Sequence, residues 1–201
     1  MERASVDSAR PAHVEHRNSL HGNPVANSVQ PVNNPGWSIR LATVEDTLTL
    51  ADIVIEAIKG QGRWTPISPT EEDDWRKEYA DWGAEQVEAA DPGNTLSVIE
   101  DRGQPVGRLR IVRDIVAEGA TRTQVSRIEL AGIQLRPSSQ GHGIGTAIIR
   151  ELQGEAARDQ VPLELGVEKD NPHARRLYER LGFAHVGENE SEYLMRWVES
   201  S

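Results

Sequence analysis

Apolar residues at Leu48, Ala51, Ile55 and Ile58 recur at helical spacing behind a capping-box pattern at 43–46. They predict an amphipathic helix of about four turns, stopped by Gly60 and Gly62. A short extended run at 38–41 precedes it. Ser68 before Pro69 predicts a second helix start. Acidic residues 71–74 fall in that helix's first turn, where the dipole favours negative charge. Trp75, Tyr79 and Trp82 then share one face, an aromatic stripe that reads as core or, in the competing reading, as the wall of a substrate pocket. Two β-rich runs at 95–100 and 106–116 flank a turn at Asp101-Arg102-Gly103-Gln104 and predict an antiparallel hairpin. Gly119 marks another turn, and 125–135 is the next strand.

That strand changes parity. Ile128 and Leu130 alternate correctly, as do Ile133 and Leu135, but the two pairs are out of phase across Ala131-Gly132. A β-bulge restores both pairs to one face, and it also splays the strand from its neighbour. Beyond it, Ile148, Ile149, Leu152 and Ala156 predict a helix, 163–167 a short apolar strand, and this strand–helix–strand order a parallel pairing. Asp170-Asn171-Pro172 opens a last helix with Ala174, Leu177 and Leu181 on its buried side. Gly182 ends it, and a hairpin at 184–186 and 193–197 closes the chain. The fold class is therefore α/β, a mixed and mostly antiparallel sheet flanked by helices.

Composition narrows the function. Residues 1–36 are rich in Asn, Ser, Pro and His without any period and read as a disordered leader, leaving 37–201 as the folded domain. His13, His16 and His21 are read as solvated side chains of that leader, because a metal site needs fixed geometry. The chain has no cysteine, which excludes disulfides, thiolate metal sites and a cysteine nucleophile, and fits a cytoplasmic protein. A net charge of −10 argues against nucleic acid as a partner and suits a cationic substrate. No apolar run approaches a membrane span.

The richest chemistry lies in RPSSQGHGIGT at 136–146. Gly141, Gly143 and Gly145 separate a strand end from a helix start. Glycines let several backbone N–H groups converge on one phosphate, and the helix adds its own orphan donors and a partial positive charge. A nucleotide P-loop needs lysine before its Ser or Thr, and none stands here. A dinucleotide site wants G-x-G-x-x-G within a βαβ unit, and here G-x-G-x-G follows hairpins. Coenzyme A is the reading that survives.

These residues resemble the GNAT superfamily of N-acetyltransferases. Gln140, Gly143 and Gly145 meet its Q/R-x-x-G-x-G/A pattern. Asn171, Ala174, Leu177, Tyr178, Gly182 and Phe183 meet its N-x-x-A-x-x-L-Y-x-x-x-G-F pattern. The resemblance implies a GNAT-like acyl-CoA N-acyltransferase fold and an acetyl-CoA-dependent transfer to a primary amine, by direct attack in a ternary complex and without metal. It implies that Gln140, Gly141, His142, Gly143, Ile144, Gly145 and Thr146 hold the pyrophosphate, that Asn171 contacts the coenzyme, and that the pantetheine arm runs along Ile133 and Leu135. It further implies Tyr178 as general acid and Glu129 as the carboxylate that takes the amine proton. The expected acceptor is a small cationic amine. The alternatives are a protein N-terminal or lysine acetyltransferase and a catalytically silent acyl-CoA sensor. A homodimer stays open.

Overall fold

In the computed structural model the described residues are 36–66, 68–118 and 122–199. The three leader histidines and the Gly119 turn lie outside them. Seven strands form one mixed sheet: β1 (Trp37–Leu41), β2 (Asn94–Asp101), β3 (Gln104–Glu118), β4 (Arg122–Leu135), β5 (Leu163–Glu168), β6 (Ala184–Glu188) and β7 (Glu192–Trp197). Their spatial order is β1-β2-β3-β4-β5-β7-β6. The helices are α1 (Thr47–Gly60), α2 (Pro69–Glu88), α3 (Ile144–Asp159) and α4 (Pro172–Arg180). Two compact units are distinguished. One runs to Leu109 and takes in Gln134–Ser138, and the other comprises Arg110–Ile133 with Ser139–Ser201.

In the first unit, β1 and β2 pair antiparallel from Trp37↔Asp101 to Leu41↔Ser97. The β2–β3 link is a two-residue turn in which Arg102 (φ 50) and Gly103 (φ 76) are both left-handed, the primed geometry that matches strand twist. Before α1, the Thr43 N–H and Oγ1 donate to the Asp46 carboxylate at 2.8 and 2.9 Å. The box forms, but a 3-10 turn at Val44–Asp46 separates it from the helix proper. Arg40 grips the same carboxylate through two bonds of 2.7 and 2.8 Å.

α1 is buried around most of its girth. Leu50 and Ile53 pack with Ala42, Leu96 and Val98, while Ala51, Val54, Ile55 and Ile58 pack with Trp64, Trp75, Tyr79 and Ala80. Each such aliphatic side chain removed from water contributes about 1.5–3 kcal/mol. Leu48, predicted on the buried stripe, is instead 58% exposed, because two packing partners turn the apolar sector toward Leu50 and Ile53. α2 begins as the sequence predicts, with Ser68 accepting from the Glu71 N–H at 3.2 Å. Trp75 and Tyr79 of its aromatic stripe are core, and Trp82 is half-buried against them.

In the second unit β4 and β5 pair parallel, as the strand–helix–strand order requires, and β7 lies antiparallel to both β5 and β6. Ile148, Ile149, Leu152 and Ala156 of α3 are buried, as are Ile128, Leu163, Leu165 and Met195 of the sheet. α4 departs from its predicted face: Ala174, Leu177 and Leu181 are only half-buried, and Tyr178 is the buried residue of the helix. The helix is just nine residues long, so one large aromatic anchors it where a longer helix would need an aliphatic stripe.

Candidate active site

The ladder between β4 and β5 contains two residue pairs, Ile128↔Leu163 and Glu129↔Glu164. Both strands continue past these pairs, to Leu135 and Glu168, without further pairing to each other. Residues 131–136 are all half-buried, with no alternation between faces.

Side-chain bonds show why. Arg108 meets Gln134 at 2.8 Å, and the Arg136 N–H meets the Val106 carbonyl at 2.8 Å, two contacts that share one β3–β4 register. Arg127 meets Asp114 at 2.9 Å, one residue out of that register. Bonded side chains on central strands share a face, so the parity of the register shifts between Arg127 and Gln134. One extra residue in β4 there is the bulge that the broken alternation at Ala131-Gly132 predicts.

After Leu135 the chain makes a 3-10 turn at Pro137–Ser139 and reaches the glycine segment. Gly141 (φ 78) and Gly143 (φ 84) are left-handed, a conformation that costs an L-residue about 1–2 kcal/mol. A Cβ built on either meets nothing within 4 Å, so these glycines answer to backbone shape and leave the approach open. Gly143 is the N-cap of α3, which starts at Ile144, two residues earlier than the sequence pattern suggests. The first internal helical bond runs from the Ala147 N–H to the Gly143 carbonyl at 2.9 Å. The preceding N–H groups, of Ile144, Gly145 and Thr146, therefore have no partner within the helix. Ile144 is 6% exposed, so its side chain anchors the turn and only its main chain can face a ligand. Gln140 and His142 are exposed, and Thr146 is half-buried.

Glu129 sits at the last paired position, half-buried, 3.4 Å from Arg127. Arg127 also bonds Asp114 at 2.9 Å and Glu164 at 3.0 Å, and Arg196 meets Glu164 at 2.6 Å. One guanidinium is thus shared among three carboxylates where the strands part. Burial works against the charge of Arg127, but its hydrogen bonds to Asp114 and Glu164 carry the pKa upward.

Tyr178 is 9% exposed and edge-on to Phe183, ring centroids 5.8 Å apart. Burial pushes its phenol up to about 12. Asn171 caps α4, its Oδ1 accepting from the Ala174 N–H at 3.1 Å. That bond occupies one acceptor site and leaves the amide donors for other use. Among the described residues no group of His, Asp and Glu could hold a metal ion.

Sequence reasoning did not single out Gly107, Arg108 or Arg127. A lone glycine within a strand is a sign of close backbone approach, and an arginine at an apolar position of a strand is a sign of buried charge. Both signs stand in Val106-Gly107-Arg108-Leu109.

Three solved structures illustrate the likeness in fold. The PaiA N-acetyltransferase of Thermoplasma acidophilum, solved in complex with coenzyme A, superposes with a TM-score of 0.63 at 18% identity, covering 81% of this chain and 99% of that one. An acetyltransferase of Thermus thermophilus gives 0.58 at 17% identity, over 82% and 97%. The ribosomal-protein-S5-alanine acetyltransferase of Vibrio fischeri gives 0.56 at 16% identity, over 84% and 96%. No curated protein matches the chain. Residues 60–183, more than half of the sequence, match the Acetyltransferase (GNAT) family. On that match the chain belongs to the GNAT family of acetyltransferases.

Proposed function

We propose that the protein transfers an acetyl group from acetyl-CoA to the primary amine of a small acceptor, by direct attack in a ternary complex. The observation that carries this reading is the left-handed Gly143 cap, which leaves three consecutive backbone N–H groups at the start of α3 for an anion. Gln140, Gly141, His142 and Gly143 shape the approach to that helix end, and Ile144, Gly145 and Thr146 supply the donors. The pantetheine arm runs along Ile133 and Leu135, on the length of β4 beyond the β4–β5 ladder, as an added strand would be held. Asn171 contributes its amide to the coenzyme.

The chemistry follows from what acyl transfer needs. A lysine-like amine has a pKa of about 10.4 and arrives as a cation, for which the net charge of −10 is a favourable background. Glu129 takes its proton, directly or through water, and the neutral nitrogen attacks the thioester carbonyl carbon. A backbone N–H near Leu135 stabilises the oxyanion, a contribution of about 3 kcal/mol for a well-placed donor. Collapse breaks the C–S bond as the nitrogen releases its second proton to solvent, and Tyr178 donates a hydrogen bond to the departing sulfur. Its phenol, at about 12, lies above an ordinary thiol at about 8.5, so complete transfer is uphill. Its main effect is the hydrogen bond that strengthens as charge grows on sulfur.

The test is incubation with acetyl-CoA and a panel of small amines and peptides, reading free thiol. Turnover of small amines with a linear dependence on enzyme supports the reading. Coenzyme binding with no turnover on any amine makes the protein an acyl-CoA sensor instead, and faster turnover of peptides makes it a protein acetyltransferase. Failure to bind acetyl-CoA at all overturns the proposal.

A further inference from the structure

Arg108 is 5% exposed, yet among the described residues it meets no carboxylate. Its guanidinium lies 5.6 Å from the ring centroids of both Tyr79 and Trp82. Nη1 donates to Gln134 Oε1 at 2.8 Å, and Nε is buried without a hydrogen-bond partner. A guanidinium is always charged in proteins, and taking that charge out of water is costly unless an anion or a full set of acceptors replaces the water. Two aromatic faces offset part of the cost. They accept nothing at the edge where Nε–H points. The same aromatic cluster holds a second buried donor with no partner, Trp64 Nε1, whose ring lies 5.7 Å from Trp75.

Arg113, five residues further along the same strand, is handled differently: it makes two bonds of 2.8 and 2.9 Å to Glu155. The pairing of Arg108 is by contrast incomplete in a specific way. With Nη1 committed to Gln134, the Nε edge is left, and this is the edge that engages a carboxylate through two parallel bonds. The residue that holds Arg108 in place, Gln134, directly precedes Leu135 on β4. Trp82, half-buried where Tyr79 is buried, marks the side of the frame nearer to solvent.

We propose that Arg108 is the anchor for a carboxylate carried by the acceptor, so that the substrate is an amino acid-like zwitterion. The inference rests on the acetyl-transfer reading for the amine, and it adds a negative group to that acceptor. Gln134 is a positioning residue that fixes the guanidinium plane, and Tyr79 and Trp82 hold it flat. The acceptor's carboxylate supplies the missing acceptor atoms.

The experiment compares matched acceptors, each amino carboxylate against its own carboxamide, with acetyl-CoA held saturating. The wild-type protein is expected to prefer the carboxylate by at least about tenfold in kcat/KM, the effect of one charge-assisted pair. Arg108→Gln is expected to bring that ratio near one while the KM for acetyl-CoA is unchanged, and Arg108→Lys to restore part of it. Equal turnover of carboxylate and carboxamide by the wild-type protein overturns the inference, as does a ratio that survives in Arg108→Gln. Should Arg108→Gln not fold, the wild-type melting temperature decides: deaminated carboxylates are expected to raise it and their amides not to, and no difference overturns the inference. Acetyl-CoA titration by calorimetry runs alongside. Absence of coenzyme binding would sink the transfer reading, whereas coenzyme binding without carboxylate preference would sink only this one.

Discussion

Gly107 of β3 and Leu135 of β4 are packed so closely that a Cβ on Gly107 would stand 2.6 Å from Leu135 Cδ2. It would also stand 2.8 Å from the Gln134 carbonyl oxygen and 2.9 Å from Ile99 Cδ1. Two of these neighbours can rotate, but the backbone oxygen cannot move without moving the strand. Gly107→Ala is therefore expected to destabilise the fold by about 1–3 kcal/mol, the usual cost of overpacking. Because the displaced segment is the one proposed to carry the oxyanion donor, kcat should fall further than the acetyl-CoA KM rises. Denaturant melts and steady-state kinetics on the same preparation check both.

Tyr178→Phe removes a hydroxyl and keeps the ring that packs on Phe183. If the hydroxyl assists departure of the sulfur, kcat falls by about 10²-fold or more at neutral pH while coenzyme binding stays as it was. An unchanged kcat with a good acceptor would refute the assignment.

The same residue predicts an alkaline limit on stability. Its phenol is raised in the folded state, from an ordinary 10.0 to about 12, so the folded protein holds this proton more tightly than the unfolded chain. The resulting stabilisation is fully present below about pH 10 and is lost as pH rises through about 12. The shift corresponds to about 2–3 kcal/mol. Chemical denaturation across this alkaline range should show the loss in the wild-type protein and a shallower one in Tyr178→Phe.

Asp46 governs the acid limit of the first unit. The hydrogen bond from Arg40 holds its carboxyl well below the usual carboxylate range, helped by the Thr43 N–H and hydroxyl. Because the folded pKa is depressed, the stabilisation is present above about pH 4 and fades as pH falls below that. Solvent screening keeps the effect small, about 1 kcal/mol. Asp46→Asn should lower the melting temperature at neutral pH and flatten its fall in acid, read by thermal melts from neutral down to about pH 3.

Gly143→Ala probes the helix cap without crowding it, since nothing lies near the added methyl. The left-handed φ of 84° should cost about 1 kcal/mol of stability. Acetyl-CoA affinity should fall more than stability does, because the cap aims the N–H groups of α3. Calorimetry of the variant against the wild type tests this, and equal affinities would contradict it.

Much of this architecture can be read from local patterns. Ser68-Pro69 fixes the start of α2, Arg102-Gly103 fixes a hairpin, and the out-of-phase pairs Ile128/Leu130 and Ile133/Leu135 reveal the irregular strand. Each of these depends on neighbours in the chain. What local pattern does not supply depends on partners far away. Leu48 fits the helical period of the core, but whether a position on α1 is buried is decided by the strands and the helix packed around it. Ala174, Leu177 and Leu181 fall short of full burial for the same reason. The ion network of Arg127 joins residues of several strands, and the incomplete pairing of Arg108 becomes visible only when the elements around it are known.

The two-pair ladder between β4 and β5 has a consequence for handling the protein. A sheet normally keeps its unpaired backbone groups at its outer margins, where charges and short strands guard them. Here the β4–β5 ladder ends at Glu129, so margins open in the middle of the sheet, and beyond that point β4 carries the apolar Ile133. Whatever lies along β4 also shields it from the edge of a second chain. Preparations stripped of such an occupant are expected to self-associate through this seam as concentration rises, and to regain solubility when it is filled.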